Sequence, residues 1–308
     1  MITIGIDTSN YTTSIAYFDG CSGNNCSSLL PVKHGELGLR QSDAVFAHIK
    51  SLPELSGRLF SHIQQPKNIG AIGVSTRPRA VEGSYMPCFM VGYSHAKLLS
   101  DAFNVPLVEV SHQQGHVAAS VWSANRLDLM DTAHLAWHLS GGTTELLLVE
   151  PDGRNVKCTR IGGTSDISAG QLIDRTGVML DLPFPCGKHL DELSRTARRE
   201  DTFRVKCPEM EFSLSGVQNK VQQYHEKVRN SAETAAFALR CVCCAVRNAT
   251  KNALRIYPGL PVVFSGGVAS NSMLRSSLAD FDAVFAEPQF STDNAMGVAV
   301  LANRIAEG

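Results

Sequence analysis

The chain reads as an α/β protein of two lobes, each with a mixed sheet flanked by helices. Three observations carry this reading. Strand-like and helix-like segments alternate along the chain. A strand, small polar turn and strand unit occurs twice, roughly 130 residues apart, as expected of two lobes sharing a design. The 308 residues exceed what one core usually fills. The expected division is an N-terminal lobe over 1–129 joined by a C-terminal helix over 295–308, and a C-terminal lobe over 130–294.

The first hairpin spans Ile4–Phe18, with Asp7-Thr-Ser-Asn at its polar turn. A helix over Ser42–Ser51, a strand over Ile69–Val74, a helix-like segment over Ser84–Phe103 and an apolar run over Val105–Val110 follow. The second hairpin spans Leu135–Val149 around Ser140-Gly-Gly-Thr-Thr144. Beyond it the pattern predicts a helix from about Ser168 to Leu180, a turn at Pro183-Phe-Pro-Cys-Gly187, and helices from Leu190 and Ser231 onward. A strand over Pro261–Phe264 then meets Ser265-Gly-Gly267 and runs into a helix through Val268–Asn271.

Hydrophobic residues make up 44% and charged residues 19%, the balance of an ordinary globular protein, and the formal net charge of -1 excludes a globally basic nucleic-acid binder. The densest basic cluster is Arg195, Arg198, Arg199, Arg204 and Lys206, read equally well as a solvated helix end or an RNA contact. The strand-like start Met1–Ile6 and the lack of any apolar stretch of membrane length predict a cytoplasmic protein. Nine cysteines without zinc-knuckle spacing predict reduced packing residues; Cys241, Cys243 and Cys244 lie in an Ala-rich helical run, and Cys21 and Cys26 flank a hairpin tip.

His112 and His116 carry the strongest chemical signal. Imidazoles four residues apart share a helix face and can grip a divalent cation with a carboxylate brought from elsewhere, here Asp293, expected at the opening of the last helix. Ser111 and Gln114 have capping-box spacing, which places both rings in the first turn and a half. The positive helix terminus there is expected to favour neutral rings.

Glycines in Ser140-Gly141-Gly142 and Ser265-Gly266-Gly267, each following an apolar strand, let main-chain N–H groups approach an anion, although neither is a Walker loop or a Rossmann fingerprint. Asp7 is placed to hold a metal or register a phosphate, with an Asx-turn as the plain alternative. Asp174 and Asp191 flank the Pro-Phe-Pro-Cys-Gly turn, where carboxylates can accept ribose hydroxyls.

Taken in order, Ile6-Asp-Thr-Ser9, Ser111-His-Gln-Gln-Gly-His116, Ser140-Gly-Gly-Thr-Thr144, Ser168-Ala-Gly-Gln-Leu-Ile-Asp174, Pro185-Cys-Gly187, Phe212-Ser-Leu-Ser-Gly216, Ser265-Gly-Gly-Val-Ala-Ser-Asn271 and Ser291-Thr-Asp-Asn294 resemble the threonylcarbamoyltransferase family once called glycoproteases. Its members make N6-threonylcarbamoyladenosine in tRNA and belong to the actin-like ATPase (ASKHA) superfamily. The resemblance implies that His112, His116 and Asp293 bind zinc or iron. It also implies that Ser140, Gly141, Gly142, Thr143, Thr144, Asp174, Gly187, Asp191 and Asn271 bind an ATP- or AMP-type nucleotide or threonylcarbamoyl-AMP; Asp7, Gly266 and Gly267 join that set as candidates. tRNA and companion proteins of a modification complex are the implied partners, and no membrane is.

The chain departs from the family pattern at several points. Tyr11 and Thr12 stand where an acidic pair is usual, Thr143 where a His is common, and Arg77-Pro-Arg79 where a Gly-Pro-Gly loop is. Gln171 and Gln114 replace acidic residues. A carbamoyltransferase acting on another acceptor and a non-catalytic ATP-binding module that regulates a partner therefore stand as alternatives. A metallopeptidase does not, because Gln113 and Gln114 lie between the histidines where a zincin needs a Glu base.

Overall fold

The computed structural model describes residues 1–9, 11–31, 39–63 and 68–308. Eleven strands and nine α-helices are present among these residues. In chain order they are β1 (Ile2–Ser9), β2 (Thr12–Phe18), β3 (Gly23–Leu29), α1 (Gln41–Phe60), β4 (Ile69–Arg77), α2 (Phe89–Phe103), β5 (Leu107–Ser111), α3 (His112–Ser123), β6 (His134–Leu139), β7 (Thr144–Asp152) and β8 (Asn155–Thr164). Then come α4 (Ala169–Met179), α5 (Gly187–Ser194), β9 (Glu211–Phe212), α6 (Ser215–Val228), α7 (Ser231–Ile256), β10 (Val262–Ser265), α8 (Ser272–Ser277), β11 (Ala283–Phe285) and α9 (Met296–Ala306).

The chain divides into two compact units: Met1–Thr132 with Glu150–Cys158 and Asp293–Gly308, and Ala133–Val149 with Thr159–Thr292. The first unit holds a five-stranded sheet of order β3-β2-β1-β4-β5. The second holds a six-stranded sheet of order β11-β10-β6-β7-β8-β9. Both repeat one plan. An antiparallel hairpin (β1/β2, β6/β7) is extended on its first strand by two parallel strands (β4 and β5, β10 and β11) reached through helical crossovers. Both hairpins read from the sequence are present in register, Ile4 opposite Tyr17 and Leu135 opposite Leu148.

The first core packs Ile4, Ile6, Ile15, Ile72 and Val74 against Leu52, Leu55 and Leu59 of α1. The other face of that sheet carries α9, admitted by glycines paired across β1 and β4. A Cβ on Gly5 would lie 2.5 Å from Ala295 O and Ala299 N, and one on Gly73 would lie 2.8 Å from Ala302 Cβ. In the second unit Trp137, Leu139 and Phe264 pack on the Ala/Cys face of α7, and Trp137 Nε1–H donates to Thr250 Oγ1 at 2.9 Å. Cys241 and Cys243 are buried there, and all nine cysteines are free.

Two expectations are corrected, and one helix was missed. The helix expected from Ser84 begins at Phe89, because Pro87 disfavours helical backbone at Met86. Helix α6 was not legible, since only Val217 and Val221 of its fourteen residues are buried and the apolar period is sparse. Asp293 does not open the last helix, which starts at Met296; it lies in the preceding loop. Among the described residues no helix is long and apolar enough to cross a membrane.

Candidate functional site

In the first unit β5 passes directly into α3 at Ser111. Ser111 Oγ accepts from Gln114 N–H at 3.2 Å while Gln114 Oε1 accepts from Ser111 N–H at 2.8 Å, the capping box expected from the spacing. Pro78 O accepts from Gln113 N–H at 3.0 Å, so the Arg77-Pro-Arg79 loop docks on the first turn of α3. The cap holds His112 and His116 at the N-terminal end of the helix with their rings edge to face, centroids 4.3 Å apart.

The loop that leads into α9 delivers the carboxylate. A Cβ on Gly297 would lie 1.8 Å from Gly115 O and 2.6 Å from Ala119 N, so α9 crosses α3 in near backbone contact between the two histidine turns. Asn25 Oδ1 accepts from Ala295 N–H at 3.0 Å and holds the loop that carries Asp293. His116 Nε2 lies 3.1 Å and His112 Nε2 3.6 Å from Asp293 Oδ1, and the two Nε2 atoms lie 2.9 Å apart. Two imidazole nitrogens and one carboxylate oxygen thus lie within 4.8 Å of one another. Mixed N and O donors of this kind suit zinc or non-haem iron.

Asp7 stands behind this group, on β1. Its Oδ1 accepts from His112 Nδ1–H at 3.0 Å and from Ser75 Oγ–H, and its Oδ2 is buried with no hydrogen-bond partner among the described residues. A carboxylate on Nδ1 leaves Nε2 to carry the lone pair that faces a cation. The sequence placed Asp7 among the nucleotide or metal contacts; its contacts here are to His112 and Ser75. Ser75 was not legible as part of the site, since nothing marks a Ser in an apolar strand. Thr12 stands where an acid is usual, and its hydroxyl donates to Asp293 Oδ2 at 3.4 Å; Tyr11 is exposed.

At His112 two carboxylates oppose the helix end that is expected to favour a neutral ring. Burial opposes its charging, but the carboxylates of Asp7 and Asp293 outweigh that and lift it to about 10. Full charges about 3–4 Å away prevail over the half-charge of a helix end. Burial likewise pushes Asp293 up, but hydrogen bonds and attraction to His112 and His116 hold it well below the ordinary carboxylate value. To hold a cation, His112 would have to be unprotonated at Nε2, so binding would be coupled to release of a proton.

In the second unit Ser140–Thr144 forms the turn between β6 and β7. Ser140 N–H donates to Thr143 O at 2.8 Å and Thr143 N–H donates to Ser140 Oγ at 3.1 Å. Open space lies over Gly141 and Gly142, whereas a Cβ on Gly170 of α4 would lie 2.5 Å from Ser140 O. Ser168 Oγ–H donates to Gly141 O at 2.6 Å and Ala169 N–H donates to Thr144 Oγ1 at 2.8 Å, pinning the turn to the start of α4. Gly266 has φ 90° and a Cβ there would lie 2.1 Å from Leu139 O, so only glycine fits. The helix expected after Gly267 is a short 3-10 turn, Gly267–Ser270, before Asn271 caps α8.

Asp191 and Asn271 meet: Asn271 Nδ2–H donates to Asp191 Oδ1 at 2.9 Å, joined by Ser272 Oγ–H at 2.8 Å, while Arg195 donates to Oδ2 at 3.0 Å. Asp174 Oδ1 accepts from Cys186 N–H at 2.9 Å, one residue before Gly187, and burial raises its carboxyl above the ordinary value against that bond. Ser272 and Arg195 were not foreseen as partners of Asp191.

Comparison with known proteins bears on what these residues serve. The family model of tRNA N6-adenosine threonylcarbamoyltransferase matches residues 37–300. A Streptococcus suis protein of that name is 33% identical over 241 residues, 72% of this chain and 69% of the relative. One from Nitrosomonas europaea is 29% identical over 319 aligned positions, 97% of this chain and 91% of the relative. A full-length HypF, solved in its phosphate- and nucleotide-bound form, superposes with a TM-score of 0.64 at 15% identity, over 100% of this chain and 47% of its own, a likeness of fold alone. The chain belongs to the tRNA N6-adenosine threonylcarbamoyltransferase family, an enzyme family, and has the actin-like ATPase fold.

Proposed function

We propose that this chain transfers the threonylcarbamoyl group of threonylcarbamoyl-AMP to N6 of adenosine in tRNA, with a divalent cation, zinc or iron, held by His112, His116 and Asp293. The observation that carries the proposal is the convergence of those three side chains with Asp7 fixed on the far nitrogen of His112. Family membership supports the acyl donor and the acceptor. A bound cation supplies Lewis-acid neutralisation of charge that develops on oxygen during acyl transfer.

The residues of the chain bind and orient. The main-chain N–H groups of Gly141 and Gly142, beneath open space, would face a phosphate, with the Ser140 and Thr143 N–H groups spent inside the turn; Gly266 and Gly267 form the second such turn. Asp174, beside Gly187, would accept a ribose hydroxyl with the lone pairs that Cys186 leaves free, and Asp191, whose oxygens already take donors from Asn271, Ser272 and Arg195, would fix Asn271 as a nucleotide contact. The adenine amine attacks the carbamoyl carbon, the bond from that carbon to the phosphate oxygen breaks, AMP leaves, and the amine loses a proton. Positioning supplies much of the acceleration in such a step. tRNA is the acceptor, and companion proteins of the host are the expected assembly partners.

The test incubates the purified protein with threonylcarbamoyl-AMP and unmodified tRNA, with and without the companion proteins, and measures N6-threonylcarbamoyladenosine by nucleoside mass spectrometry. Product is expected from the wild type, and His112→Ala is expected to lose both the product and a stoichiometric metal. Absence of product under every condition refutes the proposal.

A further inference from the structure

Two of the cations in the sequence cluster around Arg195 have another setting in the fold. Arg195 is paired with Asp191, and the main-chain N–H groups of Arg198 and Arg199 donate to the Glu233 carboxylate. Arg204 and Lys206 instead line an open groove of about 1150 Å³ in the second unit. Lys220 of α6 and Lys251 and Arg255 of α7 line it as well. The five come from three separate stretches of chain, so their grouping is a product of the tertiary fold.

All five are exposed, none takes part in an ion pair among the described residues, and no Asp or Glu lines the groove. Asp280, whose carboxyl feels Lys251, is held by Arg247. Cations and acids are nearly equal in the whole chain, 28 against 29, so five of one sign with none of the other is a local segregation. The volume exceeds the roughly 300–1,000 Å³ usual for a small ligand. Phe203 adds a ring that is 37% exposed beside Lys220, whose ammonium lies 6.0 Å from the ring centroid.

We infer that this groove docks the phosphate backbone of the RNA substrate. Dispersed, solvated cations with no acid among them match a chain of phosphates, and such contacts position an RNA without reading its bases. A lone phosphate is held differently, by converging N–H groups at a glycine turn or helix start. The inference rests on the tRNA reading proposed above.

The test titrates the full-length protein with fluorescent tRNA and with an unrelated RNA hairpin, at about 50 and about 200 mM salt, and compares wild type with Lys220→Gln/Lys251→Gln. Two lost phosphate contacts are expected to flatten the log–log salt slope by about 1.4–1.8, so the affinity drop between those salts becomes about 7- to 12-fold smaller, for both RNAs alike. The control Lys50→Gln/Lys97→Gln, exposed on α1 and α2, is expected to keep the wild-type slope.

An unchanged affinity and slope in the groove variant overturns the inference, as does failure of the wild type to bind either RNA. Poly-L-glutamate, titrated in parallel, overturns it if the substitutions weaken that polymer while leaving RNA binding intact, since the groove then serves an acidic protein. Transfer is scored separately. A flattened slope without transfer in any protein defeats the proposed function and leaves the groove standing; transfer with an unmoved slope does the reverse.

Discussion

Gly297→Ala tests whether the crossing of α9 over α3 assembles the candidate metal centre. The added Cβ would lie 1.8 Å from Gly115 O, and such contacts essentially never fall below 3.0 Å, so the start of α9 must withdraw by about 1.2 Å. Metal–ligand distances tolerate only about 0.2 Å. Asp293 sits four residues before Gly297 and moves with that helix start, leaving two imidazoles to hold the cation. The expected result is zinc affinity at least ~10-fold weaker. Overpacking adds a loss of stability of about 1–3 kcal/mol. Isothermal titration with zinc and a urea melt of the same preparations read the two effects. Gly57→Ala is the control: it is exposed on α1, with open space around the new methyl. It should raise stability by about 0.5–1 kcal/mol and leave zinc binding alone. Wild-type zinc affinity in Gly297→Ala refutes the reasoning.

Three further substitutions separate the roles of individual side chains. Asp7→Asn removes the carboxylate from His112 Nδ1 and is expected to weaken zinc binding about 10–100-fold in the same titration, and unchanged affinity contradicts its orienting role. Gln114→Glu keeps the cap on Ser111 but turns the 2.7 Å donation from Nε2 to Val156 O into a carboxylate facing a carbonyl, at a cost of about 1–3 kcal/mol. Gln171→Glu, exposed and used only as the cap on Ser168, should stay within about 0.5 kcal/mol, and equal melting of the two variants defeats the distinction.

Asp166→Asn probes pH. What burial Asp166 has pushes its carboxyl up, but the hydroxyls of Ser213 and Ser215 and the N–H groups of Leu214 and Ser215 outweigh this and hold it far below the ordinary value. The folded pKa is depressed, so its stabilisation is complete above the unfolded value of about 3.9 and fades as pH falls from there toward the folded one. Urea midpoints at neutral pH and near pH 3 should show a smaller acid loss in Asp166→Asn than in wild type; identical losses count against the account.

The sequence by itself determined what depends on local order. Alternation and turn residues located both hairpins, the spacing of Ser111 and Gln114 foretold the cap, and i,i+4 spacing put His112 and His116 on one face, because caps and periods are set within a few residues. A recognisable succession of motifs pointed to the family. Tertiary structure decided what depends on distant segments. Asp293 reaches the histidines because Gly297 admits Gly115. Asp7 turns to His112 because β1 lies two strands from β5, with Ser75 of β4 between. The pull of His112 toward charge has the same origin, two carboxylates remote in sequence that act against the helix end beside it. The basic groove gathers cations from a loop and two helices. Coulomb forces and packing act through space, and spacing along the chain carries no record of which remote residue will fill a neighbour's position.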